Sequence, residues 1–518
     1  MQPRPIRFFH GGEVVSLTGT PPDRTVLEWL REDAGCHGTK EGCAEGDCGA
    51  CVVIVASLDP EPKTNDQQHG KRADGLILRT VNACLQFLPM LDGKAFFTIE
   101  DLSRASLTPG SIAALHPVQE AMVTCHGSQC GFCTPGFVMS LTAIYEAHLE
   151  SGARPTRGAI ADALAGNLCR CTGYRAILDA AAKSFQLPAH RLDTAKTVAA
   201  LQSLALDPQL TYRGPNRDRR RTSQQFIAPR SLDELAALRE QMPHATLLAG
   251  GTDIGLWVTK QFKDLGDILF LGSVEELQGV ERSNTALTIG AGVCLENAWE
   301  ALAEEWPESR EIWVRFAGPP VRNSGTLGGN LANGSPIGDG APVLMALDAQ
   351  LILRKGSRMR TVPLDQFYQG YRKNQLEPGE FLQAIRIPRR EPGALVRAWK
   401  ISKRYDCDIS AVCAAFALTI VNDRIAQARF AFGGMAATVK RASHTERVVL
   451  GKDWTRESVE VAVEALGEDF APWSDLRASQ SYRLQVARAL LLRFWLQTRA
   501  DRPLSADEST VWATQSAS

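Results

Sequence analysis

Of the thirteen cysteines in this 518-residue chain, Cys43, Cys48 and Cys51 stand in C-x4-C-x2-C spacing inside the glycine-rich stretch Glu41–Cys51. Cys84 follows after a strand-like segment ending Val81-Asn82-Ala83. That spacing suits four thiolates holding two sulfide-bridged irons. Glycine lets such a loop take positive φ angles and turn bare N–H groups toward sulfur. A zinc knuckle, or buried free thiols, is the alternative reading, although structural zinc favours paired C-x2–4-C motifs. A second set follows, with Cys130 and Cys133 in C-x2-C spacing at one helix end and Cys169 and Cys171 in C-x-C spacing at another. Taken alone it leaves iron–sulfur and zinc both open; beside the first loop it favours iron. Cys125, a C-x4-C interval ahead of Cys130, is the competing ligand there. With Cys36, Cys294, Cys407 and Cys413 it is otherwise read as a packing residue, since free cysteine is often buried.

Two glycine-rich stretches in the second half have a different chemistry. An apolar strand feeds Leu247-Leu248-Ala249-Gly250-Gly251-Thr252-Asp253-Ile254, where backbone N–H groups and a hydroxyl can approach a pyrophosphate closely. The pattern is not G-x-G-x-x-G, so a Rossmann dinucleotide fold is not supported. The second stretch, residues 316–339, is dense in Gly, Asn and Ser around short apolar positions, as expected of a chain running beside a large polar ligand.

The elements that must position these groups are legible from periodicity. Ile6–His10 and Val14–Leu17 flank Gly11-Gly12 as a hairpin. A helix capped by Asp23 or Thr25 runs to Leu30, and strands cover Val52–Ala56, Leu76–Asn82 and Ala95–Ile99. Asp59–Gly75 reads as a polar surface insertion. From His116 the period is helical: His116–Thr124, Phe137–Leu149, Thr156–Leu164 and Ala176–Phe185. Residues 186–222, with a helix over Thr194–Leu204 and an arginine-rich run from Arg213 to Arg221, form a linker, the run being a solvated connector or docking segment rather than a nucleic-acid site. Beyond it come a strand at Phe226, a helix over Leu232–Gln241, strands over Ala411–Ile420 and Arg424–Phe432, and amphipathic helices over Trp454–Leu466 and Ser481–Leu496.

Composition bounds the rest. With 44% hydrophobic and 22% charged residues and a net charge of −1, the chain is an ordinary globular one, long enough for several domains. Near-neutral charge argues against a nucleic-acid partner. No apolar run is long enough to span a bilayer, and the N-terminus has no signal-peptide core. Abundant short C-x(n)-C motifs favour metal ligation over disulfides, and the cytoplasm is the expected location.

C-x4-C-x2-C…C followed by Cys130-Gly131-Phe132-Cys133-Thr134-Pro135-Gly136 and Gly166-Asn167-Leu168-Cys169-Arg170-Cys171-Thr172-Gly173-Tyr174 resembles the two-cluster signature of the xanthine oxidase family of molybdenum hydroxylases, over nearly all of Ile6–Ala182. The resemblance implies an α+β multidomain fold: a β-grasp 2Fe–2S ferredoxin domain (1–93), a four-helix 2Fe–2S domain (94–185), the linker (186–222), a vanillyl-alcohol-oxidase-type FAD domain (223–395) and an α+β C-terminal domain (396–518). It implies two 2Fe–2S clusters, on Cys43, Cys48, Cys51 and Cys84 and on Cys130, Cys133, Cys169 and Cys171, the second nearer molybdenum and the first nearer flavin. It places Leu247–Ile254 on the FAD pyrophosphate, Phe316 at the flavin, Thr326, Leu327, Gly328, Gly329 and Asn330 on a second FAD loop, and Asp339 on the ribose. Leu382 and Lys400 match two further FAD contacts by spacing; Lys400 alone also suits a surface lysine. Trp399–Ile409 resembles the loop where NAD enters.

No molybdenum-cofactor segment is evident, so the resemblance implies no substrate-oxidising residue here and a molybdenum-cofactor large subunit as partner, two small with two large. The implied activity is electron transfer during oxidation of hypoxanthine and xanthine to urate with NAD as acceptor, in purine degradation. The equivalent subunit of an aldehyde or N-heterocycle hydroxylase, and a non-catalytic redox sensor, are the alternatives.

Overall fold

The computed structural model describes residues 2–60, 71–104, 115–217, 222–505 and 507–509. The chain divides into two compact units, one of Met1–Gln278 with Cys294–Asn297 and Ala317–Thr326, the other of Gly279–Val293, Ala298–Phe316 and Leu327–Ser518.

In the first unit a six-stranded sheet runs in the order Glu13–Leu17, Ile6–His10, Ala95–Phe97, Val52–Leu58, Leu76–Asn82, Lys71–Ala73. Its pairs are antiparallel except for Phe9 against Ala95. Phe8, Val53, Val81 and Phe96 point to one core with Val26, Leu27, Trp29 and Leu30 of the crossing helix. Phe9, Ile54, Ala56 and Leu78 point to another core, shared with Phe137, Leu141 and Ile144 of the long helix Thr134–Ser151. Both faces are thus covered, which is why Val52–Ala56 is an unbroken apolar run rather than an alternating one. The crossing helix, Val26–Glu32, starts on a capping box: Glu28 N–H donates to Thr25 Oγ1 at 3.1 Å, and Thr25 N–H donates to Glu28 Oε2 at 2.8 Å. Thr25, not Asp23, is the cap. Four helices carry the second cysteine set: Pro117–Thr124, Thr134–Ser151, Arg157–Leu164 and Arg175–Ser184. The first unit ends in a four-stranded sheet in the order Thr211–Gly214, Gln224–Ile227, Ile268–Phe270, Thr246–Leu248.

The second unit holds an antiparallel five-stranded sheet, ordered Val280–Arg282, Ala286–Gly290, Phe381–Pro388, Gln350–Lys355, Arg358–Pro363, and a four-stranded one, ordered Leu395–Ile401, Val412–Val421, Arg424–Gly433, Lys440–Arg441. Helices Arg456–Asp469 and Gln480–Thr498 pack on the latter around Phe416, Phe430, Phe432 and Phe494. No helix among the described residues is long and apolar enough to cross a membrane. The fold class expected from the sequence is the one observed.

Three details differ from the sequence reading. The polar insertion 59–75 ends in the strand Lys71–Ala73, paired with Leu76–Leu78; residues 61–70 lie outside the described ones. The stretch read as linker contributes the edge strand Thr211–Gly214 as well as its helix. Of the arginine-rich run, Arg217 is no free cation: it ion-pairs with Glu28 at 2.8 Å and Asp23 at 3.4 Å, and residues 218–221 lie outside the described ones. The capping box generates a test: Thr25→Ala should cost about 1 kcal/mol, read as a lower denaturant midpoint for the first unit, while an unchanged midpoint would show that packing alone holds this helix.

Candidate iron–sulfur and flavin sites

Strand Val52–Leu58 begins directly after Cys51, and strand Leu76–Asn82 ends two residues before Cys84. The antiparallel register Val52 against Asn82 therefore brings these two thiols together at one end of the sheet. Both are buried, each 2% exposed. Ala83 N–H donates to the Cys51 carbonyl and Asn82 Nδ2 to the Gly46 carbonyl, both at 3.1 Å. Across the loop, the N–H groups of Glu45 and Cys48 point at Cys43 Sγ, each at 3.4 Å. The Cys48 thiol donates to Cys43, and this, with the backbone donors, lowers Cys43 to about 5 despite burial; the same bond, then burial, raises Cys48. Cys84 is raised by its bond to Cys51 and then by burial. The four thiols are thus associated two by two, Cys43 with Cys48 and Cys51 with Cys84.

The helical set is also paired. Cys133 immediately precedes helix Thr134–Ser151, with Pro135 in its first turn. Burial, then the bond to Cys169, raises Cys133 to about 12. Cys169 is lowered against burial by the Thr172 hydroxyl and backbone. Cys130, lowered by the Phe132 N–H and the Cys171 thiol, and Cys171, raised by that same contact, are exposed. Cys125 is not drawn into this set: it ends helix Pro117–Thr124 and packs against the apolar core. Among the described residues no three His, Cys, Asp or Glu side chains converge as ligands of one metal ion. The all-thiol composition of each set, with backbone N–H groups aimed at Cys43 Sγ, fits 2Fe–2S clusters.

The two sets are joined backbone to backbone. Leu168 N–H donates to the Cys48 carbonyl at 3.0 Å. Asn167 Nδ2 donates to the Gly49 carbonyl at 3.2 Å, and Asn167 Oδ1 accepts from Ser140 Oγ at 2.8 Å. Gly49 has φ +69°, and a Cβ there would stand 2.3 Å from the Gly166 carbonyl oxygen; a Cβ on Gly136 would stand 2.1 Å from the Gly49 carbonyl oxygen. Only glycine fits this junction.

The pyrophosphate-type loop lies on the other side of the ferredoxin cysteines. Leu247 and Leu248 end strand Thr246–Leu248; Ala249, Gly250, Gly251, Thr252 and Asp253 make the turn; Ile254 opens helix Ile254–Thr259. A Cβ on Gly250 would sit 1.9 Å from the Ser324 carbonyl oxygen, and one on Gly251, at φ +77°, 2.8 Å from the Leu85 carbonyl oxygen. Leu85 follows Cys84, and Gln86 Nε2 donates to the Gly250 carbonyl at 3.4 Å. Gly250 and Gly251 thus let the loop pack closely against the residues next to Cys84, and its main chain suits a bound pyrophosphate. Thr326 bridges to Cys294 in the same unit.

In the second unit, Leu327, Gly328, Gly329 and Asn330 form not an irregular loop but the start of the short helix Leu327–Ala332, because Gly328 lets it settle against Ala291, 2.5 Å from where its Cβ would stand. Asn330 Oδ1 is buried without a protein partner, which suits a polar ligand. Phe316 ends helix Arg310–Arg315, half-buried, with its ring 6.3 Å from that of Trp299. Leu382 is buried in strand Phe381–Pro388. Lys400 is no surface lysine: at 2% exposure it donates from Nζ to Asp339 Oδ2 at 2.6 Å and to Ser410 Oγ at 2.8 Å, while Ser410 Oγ donates to Asp339 Oδ1 at 2.6 Å. The structure thereby brings Asp339 and Lys400 together. In the loop after Ile401, Arg315 stacks its guanidinium over Tyr405 at 4.7 Å and bonds the Tyr405 carbonyl and Ser402.

Sequence reasoning assigned no role to Ser410, Ser140, Asn167 or Arg315. Asn167 was visible inside the second cysteine motif; the others are small or common residues whose partners lie far along the chain. The glycine cradle is open to a direct test. Gly250→Ala should release the flavin, read as FAD per chain after gel filtration, with iron unchanged; full FAD retention would remove this loop from the flavin site.

Comparison with known proteins agrees with this layout. Family models match residues 9–88 (2Fe–2S iron–sulfur cluster binding domain), 98–182 ([2Fe–2S] binding domain), 193–390 (FAD binding domain in molybdopterin dehydrogenase) and 397–498 (CO dehydrogenase flavoprotein C-terminal domain). The xanthine dehydrogenase/oxidase of Gallus gallus is 31% identical over 95% of this chain and 39% of its own length. The xanthine dehydrogenase of Drosophila pseudoobscura pseudoobscura is 33% identical over 94% of this chain and 39% of its own. The chain thus spans well under half the length of these relatives. Among solved structures, a reconstituted CO dehydrogenase from Oligotropha carboxidovorans is 28% identical, with a TM-score of 0.49 over 52% of this chain and 94% of that one. With both cluster domains and the flavin domains matched in order, the chain belongs to the xanthine oxidase family of molybdenum hydroxylases, of which it carries the iron–sulfur and FAD-binding part.

Proposed function

We propose that the chain is the iron–sulfur and FAD subunit of a xanthine dehydrogenase. Electrons released when hypoxanthine and xanthine are oxidised to urate, at a molybdenum centre on a separate large subunit, pass through two 2Fe–2S clusters to FAD and then to NAD. The names of the relatives support the substrate. The observation that carries the electron route is the serial packing inside the first unit: Leu168, next to Cys169, bonds the Cys48 carbonyl, and Leu85, next to Cys84, abuts Gly251. In this reading two small and two large subunits assemble in the cytoplasm.

The flavin, when bound, collects electrons singly and hands them on in pairs as a hydride, the chemistry being its own. The chain's residues position and insulate. Cys43, Cys48, Cys51 and Cys84, and Cys130, Cys133, Cys169 and Cys171, are the ligands, and the amides of Glu45 and Cys48 stabilise charge on Cys43. Burial of Cys51 and Cys84 keeps water from that pair. Gly250 and Gly251 bring main chain to the pyrophosphate. Arg315, tied to Tyr405 and Ser402, fixes the loop at which NAD enters.

Metal and flavin analysis should give about four irons and one FAD per chain. NADH should reduce an artificial acceptor, and the chain alone should not oxidise xanthine. Zinc in place of iron sinks the reading. Cys43→Ser should cost the ferredoxin-type cluster while FAD stays bound; FAD lost with iron retained would contradict the assignment.

A further inference from the structure

We infer that Asn167 is a positioning residue for electron transfer between the two cysteine sets, holding closed the peptide bridge that links Cys48 to Cys169. The inference rests on the proposed reading of both sets as cluster ligands and adds to it a route and the residue that maintains it.

The bridge is short. From Cys48 Sγ it runs through that residue's own Cβ, Cα and carbonyl, crosses one hydrogen bond of 3.0 Å to Leu168 N–H, and follows one peptide to Cys169 and its Sγ. One electron leaves the helical-domain cluster, which is oxidised, and arrives at the ferredoxin-type cluster, which is reduced. No covalent bond breaks and no proton moves along the route.

Apart from that one backbone hydrogen bond, the glycines at the contact supply no side chain to keep it shut. Gly49, Gly136 and Gly166 meet main chain to main chain without side chains to interlock. Asn167 supplies the missing fastening. It is 3% exposed, its Nδ2 donating to the Gly49 carbonyl and its Oδ1 accepting from Ser140 Oγ in helix Thr134–Ser151. One side chain therefore ties the ferredoxin loop, the Cys169 loop and the helix that begins after Cys133. An alanine there leaves the Gly49 carbonyl and the Ser140 hydroxyl buried without partners. Loops so placed part or admit water to regain their hydrogen bonds, and either change lengthens the bridge. An aspartate keeps the volume and the acceptor for Ser140 but has no N–H for Gly49.

The test uses the full chain with clusters in place. Asn167→Ala and Asn167→Asp are compared with the native chain after one-electron photoreduction, with the redistribution of the electron between the two clusters followed by freeze-quench EPR. Thr445→Ala serves as control, because the buried Thr445 bonds Asp469 Oδ2 at 2.7 Å within the second unit. Both Asn167 variants should show slower redistribution with iron per chain and the potential of each cluster unchanged, and the control should match the native chain. Native-speed redistribution in Asn167→Ala overturns the inference, as does equal slowing in Thr445→Ala. Loss of iron from either Asn167 variant also overturns it, since Asn167 would then hold a ligand loop together rather than link two. A native chain without both clusters sinks the electron-transfer reading itself, so the two failures are distinguishable.

Discussion

The constraint on which the first unit depends is the absence of side chains where its loops meet. The Gly49 carbonyl lies where a Cβ on Gly136 would stand, and the Gly166 carbonyl lies where a Cβ on Gly49 would stand. Any other residue would push the two cysteine loops apart by about 1 Å, the difference between these approaches and ordinary van der Waals contact. The same device recurs at Gly250, against the Ser324 carbonyl, and at Gly251, against that of Leu85. Glycine therefore has two roles here: it shapes each loop around its sulfurs, and it sets the closeness of one loop to the next.

The second unit solves a different problem. A lysine and an aspartate, both nearly inaccessible, are satisfied by one another and by Ser410. A buried pair of this kind is weak evidence for stability, but removing either partner alone is costly because it strands a charge. Asp339 and Lys400 come from elements 61 residues apart, so the pair ties the short helix Gly340–Ala346 to strand Leu395–Ile401. Cys413 joins it through the Asp339 carbonyl.

Much of this was legible in the sequence. The eight cysteines stand out by spacing, and the structure draws each set of four thiols together. Helix Thr194–Leu204 was legible to the residue, and the structure adds its Asp193 cap. The glycine turn after Leu248 was legible as a turn, and the fold class followed from the run of motifs. What the sequence hid was of two kinds. Contacts between distant loops, such as Leu168 with Cys48, leave no local trace, because each backbone group looks the same in any sequence. Short helices in glycine-rich stretches, such as Leu327–Ala332, form against intrinsic propensity because a tertiary contact, here Gly328 on Ala291, selects them. The strand Lys71–Ala73 was missed for a related reason: it gains its order from pairing with Leu76–Leu78 rather than from its own three residues.

The unequal exposure of the two cysteine sets bears on how each is reached from solvent. Cys51 and Cys84 lie sealed within the sheet end, while Cys130 and Cys171 stand at the surface. Cys43 and Cys48 are only partly covered, so the first set is closed on its Cys51 and Cys84 side and open on the other, whereas the second set opens at Cys130 and Cys171. A thiol reagent acting on the folded chain therefore meets Cys130 and Cys171 ahead of Cys51 and Cys84.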